Sequence, residues 1–164
     1  MKLNLQSTSS VEGLLAPARR SLTVGLALVI TMVAFEALAV ATAMPAVLVD
    51  LGGIRLYGWA FSAFMLTSLV GTALAGTEID RVGPAAPLGV ALTLLSAGLM
   101  IVAAAPSMVV VVAGRAVQGL GAGAIPPVAY AAIGRAYPAS LRPRMFAVLA
   151  SAWVVPGLVG PGLA

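Results

Sequence analysis

The chain has 164 residues, of which 61% are hydrophobic and only 9% are charged. Soluble globular domains average about 45–50% apolar and about 25% charged residues, so this composition excludes a soluble domain and indicates an integral membrane protein. Nine basic and five acidic residues give a net charge of +4, and the sequence contains no cysteine and no histidine. Disulfides and thiolate metal sites are therefore excluded, and we expect no metal, no cofactor and no nucleic-acid partner.

Residues 1–21 are polar, with a run of serines and a closing pair, Arg19 and Arg20. This composition predicts a solvated cytoplasmic tail. The apolar stretch that follows is about 23 residues long and carries Glu36. It is longer than the apolar region of a usual signal peptide, so we expect it to be retained as a membrane span.

Five apolar stretches follow the tail, each of about the length that crosses a hydrocarbon core of ~30 Å at ~1.5 Å per residue. We predict that the first closes at Pro45, and that a tight charged turn over residues 76–84 joins the second to the third. Pro106 and Ser107 leave room only for an antiparallel hairpin between the third and the fourth. The predicted spans, in a domain covering residues 22–164, are 22–44, 57–77, 87–105, 108–133 and 145–164.

The fourth span carries an arginine within a long apolar run. Arg115 and Gln118 are three residues apart and share a helix face, which Gly119 and Gly123 extend without bulk. A charge at membrane depth is costly and normally faces a polar cavity or a partner. The pattern therefore predicts a helix that lines a transport cavity and that a neighbouring backbone approaches closely.

Glu36 is the other charge within a span. It lies nine residues from Pro45, or about 13 Å along the helix, and Arg115 lies seven residues from Met108, or about 10 Å. We predict that both charges face one cavity in the outer half of the membrane, where Glu36 takes up and releases a proton. The alternative is a static ion pair that only fixes helix packing.

Two further groups have a physical role of their own. Gly83 permits a tight turn beside Asp80 and Arg81, and Asp80 there is able to face the positive N-terminus of another helix. The alternative is a pair of ordinary interfacial charges.

In the fifth span, Pro156 and Gly160 are four residues apart, as are Gly157 and Pro161, which favours a bend with close contact over simple packing.

Five motifs in chain order resemble those of the major facilitator superfamily, and within it the drug:proton antiporters. Glu36 to Pro45 resembles an acidic-residue-to-proline motif in which the family usually has aspartate. Pro84 and Ala85 stand where the family has a basic pair after its loop motif. The matching segments are the Glu36–Pro45 motif, the aromatic start of span two at Trp59, the Gly76–Gly83 loop with Gly76, Asp80, Arg81 and Gly83, the Arg115–Gly123 motif and the 156–163 signature.

The resemblance implies an all-α membrane protein, a bundle of five transmembrane helices that forms most of the N-terminal half of a major facilitator fold. Its partners would be the lipid bilayer, a missing C-terminal half, protons and a small-molecule substrate. The implied function is proton-coupled efflux of small apolar compounds by alternating access, without enzyme activity, in the cell membrane. The alternative is a non-transporting half-bundle that packs with another protein.

Basic residues set the orientation of a membrane protein. With a cytoplasmic N-terminus, only Arg55 lies in an outer loop and Arg115 within a span. The other seven basic residues are then cytoplasmic: Lys2, Arg19, Arg20, Arg81, Arg135, Arg142 and Arg144.

This orientation is testable because the chain has no native cysteine. In single variants, a membrane-impermeant thiol reagent applied from outside should label Ser107→Cys and should spare Ser140→Cys. Permeabilised cells, in which both positions should react, provide the control. The opposite labelling pattern would overturn the topology.

Overall fold

The computed structural model describes residues 13–17 and 19–163, with side chains as far as Val154. Throughout this part of the chain the regular structure is helical, so the all-α prediction is confirmed. The helices are α1 (Arg20–Leu51), α2 (Ile54–Val82), α3 (Ala85–Ala103), α4 (Met108–Ala136) and α5 (Arg142–Leu163).

Four of the helices, α1 to α4, are long and apolar enough to cross a membrane. The chain is therefore a multi-pass, all-α membrane protein. The fifth helix runs to Leu163, but its side chains beyond Val154 lie outside the described residues. The predicted fifth span, and the bend expected at Pro156, Gly160 and Pro161, therefore remain predictions.

The first helix does not end at Pro45, as the sequence predicted, but continues to Leu51. A proline removes one backbone donor and kinks a helix, whereas ending the helix in an apolar surrounding would leave several backbone groups without partners. The helix ends instead where Gly52 and Gly53 adopt positive φ angles of 65° and 80°. Glycine reaches this region without the steric cost that a side chain would add.

The predicted turn over residues 76–84 is also wrong in its extent. Residues 76–82 are helical, and α2 is capped by Gly83, whose φ is 84° and whose N–H donates to the Ile79 carbonyl at 3.0 Å. The charged residues in this segment do not by themselves end the helix. The chain therefore leaves the helix only at Gly83, next to Pro84.

Contacts divide the chain into two compact units, one of Met1–Ala39 with Ile133–Ala164 and one of Val40–Ala132. In the first unit, the predicted solvated tail is wrong for its last residues, because Leu14 is buried. Thr23 Oγ1 lies 2.7 Å from both the Leu14 carbonyl and the Tyr137 hydroxyl. The segment at Leu14 is thereby fixed to the start of α1. Residues 1–12 lie outside the described part of the chain.

The first unit also contains the connection from α4 to α5. The Arg142 guanidinium donates to the Tyr137 carbonyl at 3.0 Å and to the Gly134 carbonyl at 2.6 Å. These carbonyls lie at the C-terminal end of α4, where helical carbonyls lack partners and the helix dipole favours a cation. Arg142 therefore caps α4 from the first turn of α5.

In the second unit, α4 is the central helix. Within an apolar stretch of 18 residues in α4, 61% is buried, against 17–28% in the corresponding stretches of the other three spans. Glycines bring its backbone against both neighbours. A Cβ added at Gly119 or Gly123 would strike the backbone of α2 at Phe64 or Ser68, and one at Gly121 would strike α3 at Leu95. The predicted close backbone approach along this helix is observed.

These contacts also give the helix directions. From Phe64 to Ser68 the contacts on α4 advance from Gly119 to Gly123, so α2 and α4 run parallel. Along α3 they run the other way, from Leu95 against Gly121 to Val102 against Gly114. Helix α3 is therefore antiparallel to both, as expected for consecutive crossings of a membrane.

Gly71 and Gly76 of α2 provide a matched pair of tests. A Cβ at Gly71 would strike the Leu120 carbonyl of α4, whereas a Cβ at Gly76 meets nothing within 4 Å. Gly71→Ala should therefore destabilise the protein by about 1–3 kcal/mol through overpacking. Gly76→Ala should be neutral or stabilising, because alanine favours helix over glycine. Unfolding in mixed detergent micelles measures both; equal effects would contradict the packing described for α2 and α4.

Candidate functional site

Buried polar groups mark the candidate site. Among the described residues, only four polar or charged side chains are buried: Thr23, Glu36, Arg115 and Gln118. The last three are the residues that the sequence predicted to line a cavity. Burying such groups costs free energy unless they are hydrogen-bonded or paired, so each is expected to have a specific role.

Arg115 is held by two neighbours in the second unit. Its side chain is 4% exposed, and its Nη1 donates to Gln118 Oε1 at 2.9 Å, one helical turn further along α4. The guanidinium carbon lies 4.0 Å from the centre of the Phe64 ring on α2. A cation over an aromatic face is attracted by the ring quadrupole, most strongly where water is excluded. These contacts offset part of the cost of keeping the charge at membrane depth.

The glycines of α4 account for this arrangement. Because Gly119 has no side chain, the Phe64 carbonyl and the Thr67 hydroxyl of α2 approach its backbone. Phe64 is therefore close enough to place its ring against Arg115, one turn before Gly119. On the other side, a Cβ at Gly98 of α3 would lie 2.5 Å from the Gln118 backbone nitrogen. Gln118 occupies the space that this glycine leaves.

Gln118 carries an unused donor. Its side chain is fully buried, and because its Oε1 accepts from Arg115, its amide nitrogen is the remaining polar atom. This Nε2 has no hydrogen-bond partner among the described residues. Buried polar atoms without a partner are uncommon in folded proteins. An amide donor beside the guanidinium suits a small acceptor such as a water or a substrate oxygen.

Glu36 belongs to α1 and to the first unit. Its side chain is 5% exposed, and it is the one buried carboxylate among the described residues. Asp50 and Asp80 are exposed, and Glu78 is half-buried. The expectation that Glu36 shares a cavity with Arg115 concerns two separate units and remains a prediction.

The predicted gating residues lie at the end of α2. Arg81, which is exposed, donates to Oε1 of the half-buried Glu78 at 2.8 Å across one helical turn. Asp80 is exposed, and Gly76 lies within the helix with open space around it. Of the four predicted residues, only Gly83 stands outside a helix. Exposed ion pairs contribute little to stability, so this pair is no strong clamp by itself.

An apolar groove of about 240 Å³ lies between α2, α3 and α4. Leu74, Val82, Val90 and Leu94 are among its lining residues, with Glu78 as its charged member. Arg115 and Gln118 do not line it. The groove is therefore separate from the buried polar site.

Residues 24–164 match the family model of the Major Facilitator Superfamily. The chain belongs to this superfamily. The buried arginine, its glutamine and the glycines of α4 thus lie in the part of the chain that the family model matches. No solved structure matches the chain.

Curated relatives in the superfamily are transporters. A "Probable multidrug-efflux transporter" of Mycobacterium tuberculosis is 35% identical over 118 residues, which is 72% of this chain and 25% of that protein. The "Multidrug transporter protein MdtP" of Bacillus subtilis is 28% identical over 143 residues, 87% of this chain and 26% of that protein. The chain thus spans about a quarter of the length of these relatives.

The sequence analysis missed two residues of α2 that contact α4 at or near the buried polar site. Nothing in the sequence position of Phe64 points to Arg115. Thr72 of α2, whose Oγ1 donates to the Gly123 carbonyl of α4 at 2.7 Å, was not singled out at all. The second contact had a signal in the sequence: Pro126 and Pro127 within a span leave carbonyls in need of donors.

The contact between Phe64 and Arg115 is open to a double-mutant cycle. Phe64→Leu should destabilise the protein by about 0.5–2 kcal/mol beyond its packing loss, because the cation loses the ring face. That extra loss should vanish in an Arg115→Met background. Phe61→Leu, on the same helix but packed against Tyr57, is the control and should show no dependence on Arg115. An equal Phe64→Leu effect in both backgrounds would rule out the ring contact as a stabilising one.

Proposed function

We propose that this chain is the N-terminal part of a secondary transporter that exports small, largely apolar organic compounds in exchange for protons. The observation that carries the proposal is the buried group of Arg115 and Gln118 on the central helix, in a chain of the Major Facilitator Superfamily. The named multidrug-efflux relatives support the substrate class.

A complete transporter of this kind requires a second half. The relatives are about four times as long as the aligned segment, which supports a further C-terminal half that is not part of this chain. We propose that the two halves alternate around a central cavity and expose it to one side of the membrane at a time. The relevant membrane is then the cell membrane, with the N-terminus in the cytoplasm.

The proposed proton carrier is Glu36. Histidine and cysteine are absent from the sequence, so a carboxylate is the group best suited to exchange a proton at ordinary pH. Glu36 is the buried carboxylate of the described residues, and the proton affinity of a carboxylate depends on nearby charges and on the water that reaches it. Movement between outward- and inward-open states would change how close Arg115 comes and how much water enters. Each cycle would then load and release one proton.

Arg115 and Gln118 have different proposed roles. Arginine stays charged throughout, so Arg115 provides a permanent positive charge in the cavity. Gln118 orients the guanidinium through its Oε1 and presents its Nε2 to a water or a substrate acceptor.

The end of α2 is the proposed gate. Asp80 and Arg81 are exposed there, next to the chain reversal at Gly83. We propose that Asp80 meets the positive N-terminus of a helix in the second half, while Glu78 holds Arg81. Breaking and restoring this contact would accompany each cycle.

Glu36→Gln tests the mechanism. In the full-length transporter, reconstituted in vesicles, proton-driven substrate accumulation should fall to the level of protein-free vesicles, because glutamine does not ionise. Substrate binding and expression should remain close to those of the parent. Asp50→Asn, which removes an exposed carboxylate outside both the buried group and the proposed gate, should retain most of the transport and serves as the control.

Two results would contradict the proposal. If Glu36→Gln accumulates substrate against its gradient as well as the parent does, Glu36 is structural. If the parent transports no apolar cation, weak base or neutral drug under any proton gradient, the proposed function itself is wrong.

A further inference from the structure

Helix α4 contains two adjacent prolines, Pro126 and Pro127, well inside its length. A proline has no backbone N–H and therefore cannot donate to the carbonyl four residues earlier. For Pro127 that carbonyl belongs to Gly123. In an apolar surrounding, a carbonyl left in this way needs a donor from elsewhere.

The donor is on the neighbouring helix. Thr72 Oγ1 of α2 lies 2.7 Å from the Gly123 carbonyl oxygen. The two backbones already touch at this level, because a Cβ at Gly123 would strike Ser68, one turn before Thr72. A hydroxyl on α2 therefore reaches the carbonyl that Pro127 leaves open in α4.

We propose that Thr72 is a positioning residue: its hydroxyl replaces the backbone donor that Pro127 removes and latches α2 to α4 at the proline break. The same parallel pair of helices carries Phe64 and Arg115 about two turns earlier. By fixing α2 against α4 about two turns beyond Phe64 and Arg115, the latch holds the ring and the guanidinium in register.

The Thr72 hydroxyl has a second acceptor, so the latch is able to open. Thr72 Oγ1 also lies 2.9 Å from the Ser68 carbonyl of its own helix. If α4 bends at Pro126 and Pro127, the hydroxyl keeps an acceptor, and only the Gly123 carbonyl loses its partner. Proline breaks are common places for helices to bend. The latch therefore allows α4 two arrangements, and its consequence for transport rests on the function proposed above.

A double-mutant cycle isolates this hydrogen bond. Thr72→Val keeps the shape of the side chain and removes the hydroxyl, and Pro127→Ala returns a backbone donor to Gly123. With Pro127 present, Thr72→Val should shift the unfolding equilibrium of the 164-residue chain in mixed micelles about threefold toward the unfolded state. With Ala at position 127, the same substitution should cause no shift. Thr72→Ser should behave like the parent with either residue at 127.

Thr93→Val is the matched control. Thr93 is an exposed threonine of α3 whose hydroxyl donates to Gly89 within its own helix. Its substitution should have the same effect with either residue at position 127. If Thr72→Val shifts unfolding equally in both backgrounds, or if Thr72→Ser fails as Thr72→Val does, the latch is refuted. Should Thr72→Val not fold, folding of Thr72→Val with Pro127→Ala supports the latch, and failure of both refutes it.

Transport separates the latch from the proposed function. In the full-length protein, Thr72→Val should slow transport, and Pro127→Ala should restore the rate to that of Pro127→Ala alone. If the unfolding cycle shows the coupling but neither the parent nor any variant transports, the latch stands and the proposed function fails. If the parent transports and the cycle shows no coupling, the proposed function stands and the latch fails.

Discussion

Direct backbone contact between α4 and its two neighbours is the constraint on which the second unit depends. Glycines at positions 119, 121 and 123 let carbonyls and Cα atoms of α2 and α3 approach to distances that a Cβ would forbid. In a membrane, where lipid tails are as apolar as the side chains, such close packing is a main source of helix association. The same closeness decides where polar groups are able to meet. Phe64 reaches Arg115, and Thr72 reaches Gly123, only because the two backbones are already in contact.

The buried charge of Arg115 and the tight packing of α2 against α4 depend on each other. A guanidinium placed in a loose bundle would draw in water or snorkel toward a headgroup. Here Gln118 and Phe64 occupy both sides of Arg115 within one unit, so the charge remains at a defined depth. The proposed transport would require this kind of rigidity, because a cavity whose walls deform separately would leak the gradient. Within this packing, Pro127 leaves the Gly123 carbonyl without its helical donor, and the Thr72 hydroxyl binds that carbonyl.

The sequence predicted what depends on composition and local spacing, and missed what depends on contact. Arg115, Gln118 and Glu36 were predicted because polar side chains within apolar runs are costly, and all three are buried. The close approach at Gly119 and Gly123 followed from their spacing. The end of α1 was wrong because Pro45 was judged alone, without the cost of leaving its neighbours unbonded. Residues 76–82 were taken for a turn because charge was mistaken for a helix end. Leu14, Phe64 and Thr72 owe their roles to partners 9, 51 and 51 positions away in the sequence, which no local pattern encodes.

Arg142 shows how one side chain is able to act at two stages in the life of a membrane protein. In the predicted orientation, with a cytoplasmic N-terminus, its charge would add during insertion to those that keep the loop before α5 from crossing the bilayer. Once the helices are in place, the same guanidinium binds the carbonyls of Gly134 and Tyr137. In that orientation, insertion and the finished fold would favour a basic residue here on separate grounds. Lysine would satisfy the first demand, but a single ammonium group lacks the planar fork that spans two carbonyls at once.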